Sequence, residues 1–385
     1  MLKTWDAIGI SALFFVLTVG AANGQNKPRA RDLGVPFDGT PGTLNAITDV
    51  KGVEVGHTTL ISGNGPLKVG VGPVRTGVTA VFPRGKQSSD SVFGAWFTLN
   101  GNGEMTGTTW VEDSGFVEGP VMITNTHSVG VVRDAVIAWR VKHGHADMQG
   151  YWWSLPVVAE TWDGYLNDIN GFHVEAEDAF HAMDTASGGR VEEGSVGGGT
   201  GMICNEFKGG IGTSSRVLDG KHGGYTVGVL VQCNYGRRDQ LRIAGVPVGK
   251  EIPGHVYDDD TGSIIVVVAM DAPLIPTQLK RVARRVSLGL GRDGSYSGDG
   301  SGDIFIAFST ANAGAGGEKG LRQVAMLPNE QLDPVFLATV QATEEAVVNA
   351  MVAADTMTGK DNHTVIGLPH DRLREILKKY NRLVQ

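Results

Sequence analysis

The sequence predicts one α/β unit built of stacked layers, and three observations carry that reading. Short apolar runs of strand character alternate with helical repeats along the whole chain, a mixture that packs as sheets covered by helices. No internal repeat and no clean Gly/Ser linker divides the 385 residues. Glycine supplies 56 of them, roughly twice the usual ~7%, and punctuates the apolar runs as expected for many tight turns and close backbone approaches.

Taken in order, residues 27–41 read as a polar connector rich in Pro, Arg and Gly. Strands are expected at 47–50, 53–60, 78–82 and 95–99, with a turn at Lys51-Gly52. Residues 130–142 place Val131, Val132, Ala135, Val136 and Trp139 at helical spacing. A further apolar stretch covers 155–159, and strands follow at 225–232 and 263–270. Pro276 suits the first position of a helix reaching to about residue 288. Residues 303–308 read as a strand, 334–354 as a long amphipathic helix, and 370–380 as a closing helix.

Charged residues make up 19% and hydrophobic residues 41%, the balance of a folded globular protein rather than a disordered one. The net charge of −8 argues against a nucleic-acid surface, which needs clustered Lys and Arg. The one dense basic run, residues 280–285, reads as a solvated helix face. Residues 1–24 read as a signal peptide: Lys3 gives a charged start, residues 8–22 an apolar stretch, and Ala22-Asn23-Gly24 a small-residue cleavage site before Gln25. The expectation is a secreted or periplasmic protein, with no membrane partner once the signal is removed, and residues 25–385 forming one domain. Cys204 and Cys233 lack C-x-x-C spacing; they read as two separate buried thiols, with one disulfide as the alternative.

One serine stands out. An acidic loop, Asp258-Asp259-Asp260, leads through Thr261-Gly262 to Ser263, and seven apolar residues follow, the run of a strand buried on both faces. Glycine before the serine permits backbone angles that other residues cannot reach. Such a Gly–Ser peptide suits an N-to-O acyl shift, after which ester hydrolysis leaves a serine bearing a free α-amine. An α-amine has a pKa of about 7.7–8, so a useful fraction is neutral near pH 7 and can take the proton of its own hydroxyl. No serine lies in G-x-S-x-G, so a nucleophile elbow is absent. Read locally, however, Gly-Ser before a strand is also an ordinary turn.

Eight ordered stretches give the chain a specific resemblance. They are residues 47–59, 72–80, 124–130, 160–168, 208–216 and 231–236, together with Leu99-Asn100-Gly101-Asn102-Gly103-Glu104-Met105-Thr106-Gly107 and Ser301-Gly302-Asp303-Ile304-Phe305 through Thr310. In these the chain resembles the L-aminopeptidase/D-esterase (DmpA-type) and β-peptidyl aminopeptidase family over about residues 32–380. The resemblance implies a four-layer αββα sandwich, similar in geometry to N-terminal nucleophile hydrolases but differently connected. It implies autocleavage between Gly262 and Ser263 into an α-chain, 25–262, and a β-chain, 263–385. It places the nucleophile at Ser263, an oxyanion-hole amide at Asn234, a site-lining hydroxyl at Tyr165, and an orienting serine–acid pair at Ser301 and Asp303. The family carries glutamate at that acid position, so aspartate here reaches one methylene less far. Glu160 is the candidate for the substrate's ammonium, since opposite charge must recognise a free amino terminus.

These residues also have plain structural readings: Asn234 as a strand-end cap, Tyr165 as core, Glu160 as an ion-pair partner. His57 and His127 read as structural hydrogen-bonders. The stretch Asp293 to Asp303 loosely follows a Ca²⁺ loop but lacks the glutamate at the twelfth position, and residues 194–201 lack the Gly-Lys-Ser/Thr ending of a phosphate loop. No metal and no cofactor is therefore expected. The expected function is a self-activated serine aminopeptidase or amidase acting on small peptides, amides or esters with a free amino terminus, in a homo-oligomer (tetramer) of αβ units. The rivals are an acyltransferase of the ornithine acetyltransferase type and a non-catalytic binding protein.

Overall fold

A computed structural model describes residues 27–144, 153–257, 261–317 and 319–384. The expected signal segment and the acidic loop at 258–260 lie outside the described residues.

The strands, in chain order, are β1 (Glu54–Ser62), β2 (Val74–Phe82), β3 (Val92–Gly101), β4 (Phe116–Val117), β5 (Val121–Asn125), β6 (Val157–Thr161), β7 (Ile203–Cys204), β8 (Phe207–Lys208), β9 (Gly210–Val217), β10 (Thr226–Asn234), β11 (Thr261–Met270), β12 (Gly300–Ser309), β13 (Met357–Thr358) and β14 (Thr364–Val365). The helices are α1 (Thr108–Ser114), α2 (Val129–His143), α3 (Ala176–Asp184), α4 (Val248–Glu251), α5 (Pro276–Arg292), α6 (Asp333–Val352) and α7 (His370–Lys379).

Among the described residues two main sheets result, one of four strands in the order β1-β2-β5-β6 and one of six in the order β4-β3-β12-β11-β10-β9, with β7-β8 and β13-β14 as separate two-stranded pairs. Side-chain alternation sorts the core into three apolar sheets of contact. Ile265, Val267 and Ala269 of β11 join Ile304 and Ile306 of β12, Leu230 of β10, and Ile123, Val157 and Ala159 of the smaller sheet. That cluster fills the space between the sheets. The opposite faces of the same strands, Ile264, Val266, Val268, Phe305 and Val229, pack against Val282 and Val286 of α5 and Ala346 and Val347 of α6. Val78, Ala80, Met122 and Val158 of the smaller sheet pack on Val132 and Val136 of α2 and Ala179 of α3. The order is helix, sheet, sheet, helix, the four-layer αββα sandwich. β11 and β12 run parallel across α5, and β5 and β6 run parallel across α2, so each sheet holds one βαβ crossover.

Several expectations are corrected. Residues 47–49 form a 3-10 turn rather than a strand, with Asp49 accepting from the backbone N–H groups of Leu44 and Ala46. Helix α6 is not amphipathic: it is buried on nearly every face, and even Glu345 is buried, paired with Arg216 and Arg31. Cys204 and Cys233 are joined in a disulfide linking β7 to β10. Two thiols 29 residues apart carry no spacing signal, and only the close approach of the β7–β8 hairpin to β10 makes the bond. The basic run at 280–285 is only partly solvated: Val282 and Ala283 are buried, Arg281 and Arg285 lie half-buried over the Phe336 ring, and Arg284 alone of the four cationic residues is exposed.

Candidate functional site

The site lies where β10, β11 and β12 come together. Asn234 ends β10 and is the antiparallel partner of Ser263, while Ser263 pairs in parallel with Gly302 of β12. Ser263 is thus the third residue of β11, not its first, and it is 5% exposed. By alternation it shares the inter-sheet face with Ile265 and Val267, and Asn234 shares that face with Leu230. The two side chains stand opposite each other on adjacent strands, the closest cross-strand relationship a sheet provides.

Both glycines around the serine are dictated by crowding. A Cβ at Gly262 would come within 2.5 Å of the Asn234 carbonyl oxygen and 2.8 Å of Tyr235 Cα. One at Gly302 would come within 2.2 Å of the Asn102 carbonyl oxygen. Gly262 is not in the left-handed region, so close approach of the neighbouring strand, not an unusual backbone angle, is what requires glycine there.

Asn234 is clamped at both ends of its amide. Its Oδ1 accepts from Ile203 N–H at 2.8 Å, and its Nδ2 donates to the Trp162 carbonyl at 2.9 Å. This pattern fixes which end is nitrogen and leaves one Nδ2 proton for another acceptor. Tyr165 packs in a small cluster with Leu166, Ile203 and Val365, next to the residue that holds Asn234. Its ring is stacked on His363, with centroids 4.5 Å apart, and meets Tyr257 edge-on at 5.3 Å.

Ser301 Oγ donates to Asp303 Oδ1 at 2.7 Å, and both residues are buried. Their strand parity matches Phe305 and Ala307, so they lie on the helix side of the sheet, opposite the face that carries Ser263. Ser301 is the register partner of Gly262, so the pair shares the face of Gly262 rather than that of the Ser263 side chain.

Glu160 is buried in β6. Its Oε1 accepts from Glu104 N–H at 2.9 Å and its Oε2 accepts a short hydrogen bond from Thr126 Oγ1. Burial raises its pKa above the usual carboxylate range, opposed by those two hydrogen bonds. A Cβ at Gly103 would sit 3.3 Å from both Glu160 Oε1 and Gly302 Cα, so the carboxylate borders the residue paired with Ser263.

His57 is held by Thr79, with Nδ1 3.0 Å from Oγ1, and burial lowers its pKa to about 4. It lies under the turn at residues 197–199 as a structural group. His127 is stacked on Phe172 at 5.9 Å.

Two buried ionisable residues went unnoticed in the sequence. Lys208 has no exposure, and its Nζ donates to the carbonyls of Met202 (2.7 Å) and Gly209 (2.9 Å). Burial lowers its pKa to about 7, against the pull of Asp163. Asp163 follows the Trp162 carbonyl that holds Asn234, and burial raises its pKa to about 7. A lysine between Phe207 and two glycines was the available signal for a buried cation.

Comparisons with known proteins agree with this geometry. The family model described as Peptidase family S58 matches residues 45–365. The chain is 56% identical to β-peptidyl aminopeptidase BapA of Sphingosinicella microcystinivorans, covering 96% of each chain. The structure of the L-aminopeptidase D-Ala-esterase/amidase from Ochrobactrum anthropi, described as a prototype for the serine aminopeptidases and a new variant of the Ntn hydrolase fold, superposes with a TM-score of 0.86 at 50% identity, over 93% of this chain and 100% of that one. The β-aminopeptidase of a Burkholderia species gives 0.84 at 48% identity, over 91% and 99%.

Proposed function

The chain belongs to peptidase family S58 and is a serine aminopeptidase of the Ntn type, and from that premise we propose that Ser263 is its nucleophile and that its preferred substrates are β-aminoacyl peptides and amides. The observation that carries the site assignment is the pairing of Ser263 with Asn234, whose amide is clamped with one proton to spare.

Activation begins in the intact strand. Ser263 Oγ attacks the Gly262 carbonyl carbon, and the oxyanion is met by the free Nδ2 proton of Asn234. Collapse breaks the C–N bond as the nitrogen takes the proton that Oγ released, and the Gly262 ester is then hydrolysed by one water. The products are a Gly262 carboxylate and a Ser263 α-amine. Ser301 and Asp303, on the helix side of that peptide, hold the new amine so that its lone pair faces Oγ.

Turnover repeats the chemistry on substrate. The neutral amine accepts the Oγ proton, and Oγ attacks the substrate carbonyl. Asn234 and the hydroxyl of Tyr165 meet the oxyanion, and the departing amine takes the proton. Water then releases the acyl group. Glu160 holds the substrate's ammonium, beside Gly103 and Gly302, which sets the amine a fixed distance from the nucleophile.

The β-preference is supported by two proteins so named among the relatives. A panel of p-nitroanilides carrying β-, L-α- and D-α-aminoacyl groups tests it, and higher kcat/KM for an α-linked member defeats it. We further propose that residues 1–24 direct export and that αβ units assemble as tetramers. Sequencing the mature N-terminus and light scattering on the purified enzyme test these two readings, with a start at Gln25 and a fourfold mass expected.

A further inference from the structure

Behind Asn234, buried polar contacts form one continuous line. The Met202 carbonyl and the Ile203 N–H belong to the same peptide group. Its oxygen accepts from Lys208 Nζ at 2.7 Å, and its N–H donates to Asn234 Oδ1 at 2.8 Å. Lys208 is wholly buried, and a second carbonyl, that of Gly209, takes another of its protons. From the geometry we propose that Lys208 is a positioning residue for the oxyanion hole, acting on Asn234 through the Met202–Ile203 peptide. The inference rests on the reading of Asn234 as the oxyanion donor.

Hydrogen bonds in series polarise one another, and more so where no water competes. A donor at the peptide oxygen draws electron density from the peptide nitrogen and makes the Ile203 N–H a stronger donor. That bond in turn draws density from the Asn234 amide through its oxygen, leaving the Nδ2 protons more positive. The effect is greatest when Lys208 is an ammonium, because charge-assisted hydrogen bonds are roughly twice as strong as neutral ones. Asp163, buried just beyond the Trp162 carbonyl, favours that charged form, while Lys27 and burial oppose it. Asn234 is thus held from two sides by groups of opposite demand: a carbonyl taking one Nδ2 proton, and a cation-backed N–H gripping Oδ1.

A structural lysine would only fill space and cap two carbonyls, and removing it would harm folding irrespective of Asn234. A positioning lysine affects the transition state, and only while Asn234 is present. The test measures KM and kcat, the latter per mole of cleaved chain quantified by intact mass, for Lys208→Gln and Lys208→Met, each alone and combined with Asn234→Ala. Gln retains an N–H for the buried carbonyls and so guards folding, while Met removes the donor as well. Asn234→Ala alone should lower kcat by about 10²–10³, the usual effect of losing an oxyanion donor. An unchanged kcat there would sink the reading of Asn234 itself. Given that loss, Lys208→Met should lower kcat about tenfold, roughly 1.4 kcal/mol of barrier, Lys208→Gln less so, and KM should stay within about twofold. In the Asn234→Ala background both should change kcat by less than about twofold, since the coupled partner is gone. A Lys208 effect of equal size in both backgrounds, or kcat unchanged in a folded Lys208→Gln or Lys208→Met protein, overturns the inference.

Discussion

Asn234 and Ser263 are register partners at the ends of β10 and β11, with both side chains on the face between the two sheets. On the proposed assignment, this single relationship sets the oxyanion donor beside the nucleophile without any loop having to be ordered. The strands are fixed by apolar burial on both faces, with Val229 and Val231 on one side and Leu230 and Ile265 on the other. Rigid elements hold side chains more closely than loops do, so the Ser263–Asn234 pairing is already in place in the uncut chain.

Replacing Ser263 gives the most direct test of its proposed role as nucleophile. Ser263→Ala removes the hydroxyl but leaves a strand that accommodates alanine. Denaturing electrophoresis and intact mass should show a single uncut chain, and activity should be at background. Two fragments split at residue 262, or wild-type turnover, would rule Ser263 out.

Gly262→Ala probes why the residue before Ser263 is glycine. A Cβ there meets the Asn234 carbonyl oxygen at 2.5 Å and Tyr235 Cα at 2.8 Å, far inside contact distance. β10 and β11 must separate to accommodate it, and Asn234 moves with β10. The expected outcome is slow or absent cleavage together with a melting temperature several degrees below wild type, in line with a destabilisation of roughly 1–3 kcal/mol. Normal cleavage kinetics at unchanged stability would show that close approach is not what requires glycine.

Much of this was legible in the sequence, for definite reasons. β11 announced itself because Ile264 to Met270 is apolar at every position, as only a doubly buried strand needs to be, and α2 and α5 showed the helical period. β5 and β9 were not singled out. Gly210 to Val217 holds two glycines and three hydroxyl residues, yet it is buried because Ser214, Ser215 and Thr213 all find partners at Ala342, Asp49 and Val229. Of the site, Ser263 stood out locally but only weakly, Glu160 followed from the need for an opposite charge, and Asn234, Tyr165, Ser301 and Asp303 could be named only from the resemblance. What no residue pattern revealed was sidedness: Ser301 and Asp303 lie on one face of the sheet and Ser263 on the other, which register alone decides. The Cys204–Cys233 bond and the Lys208–Asn234 line were hidden for the same reason, since both depend on how the β7–β8 hairpin meets β10.

Glu160 should impose an acid limb on substrate binding. It holds an ammonium only as a carboxylate, and burial raises its pKa above the ordinary value near 4.3. As pH falls through that raised pKa the carboxyl takes up a proton and the attraction is lost. KM should therefore rise on the acid side at a higher pH than an exposed glutamate would give, with kcat changing less. In Glu160→Gln, KM should be high throughout and lose this dependence, because the amide carries no charge at any pH. An acid limb in KM that persists in Glu160→Gln would assign it to another group.

His57 should make the fold acid-sensitive. Burial lowers its pKa from 6.5 to about 4, so between those values the unfolded chain binds a proton that the folded one refuses. Stability on this account is full above pH 6.5 and is lost as pH falls towards 4, by about 3 kcal/mol in all at 1.36 kcal/mol per pKa unit. Asp163 works in the opposite direction over nearly the same range, because burial raises its pKa to about 7 and its folded form holds a proton that the unfolded form has released. The total pH profile therefore mixes two opposed slopes, and only a difference isolates His57. His57→Gln retains a polar group for Thr79 and cannot titrate. Denaturant unfolding of both proteins from pH 7 to pH 4 should show the wild type ahead at neutral pH and its advantage shrinking steadily on acidification. An advantage that stays constant over that range would mean that His57 carries its proton in the folded core after all.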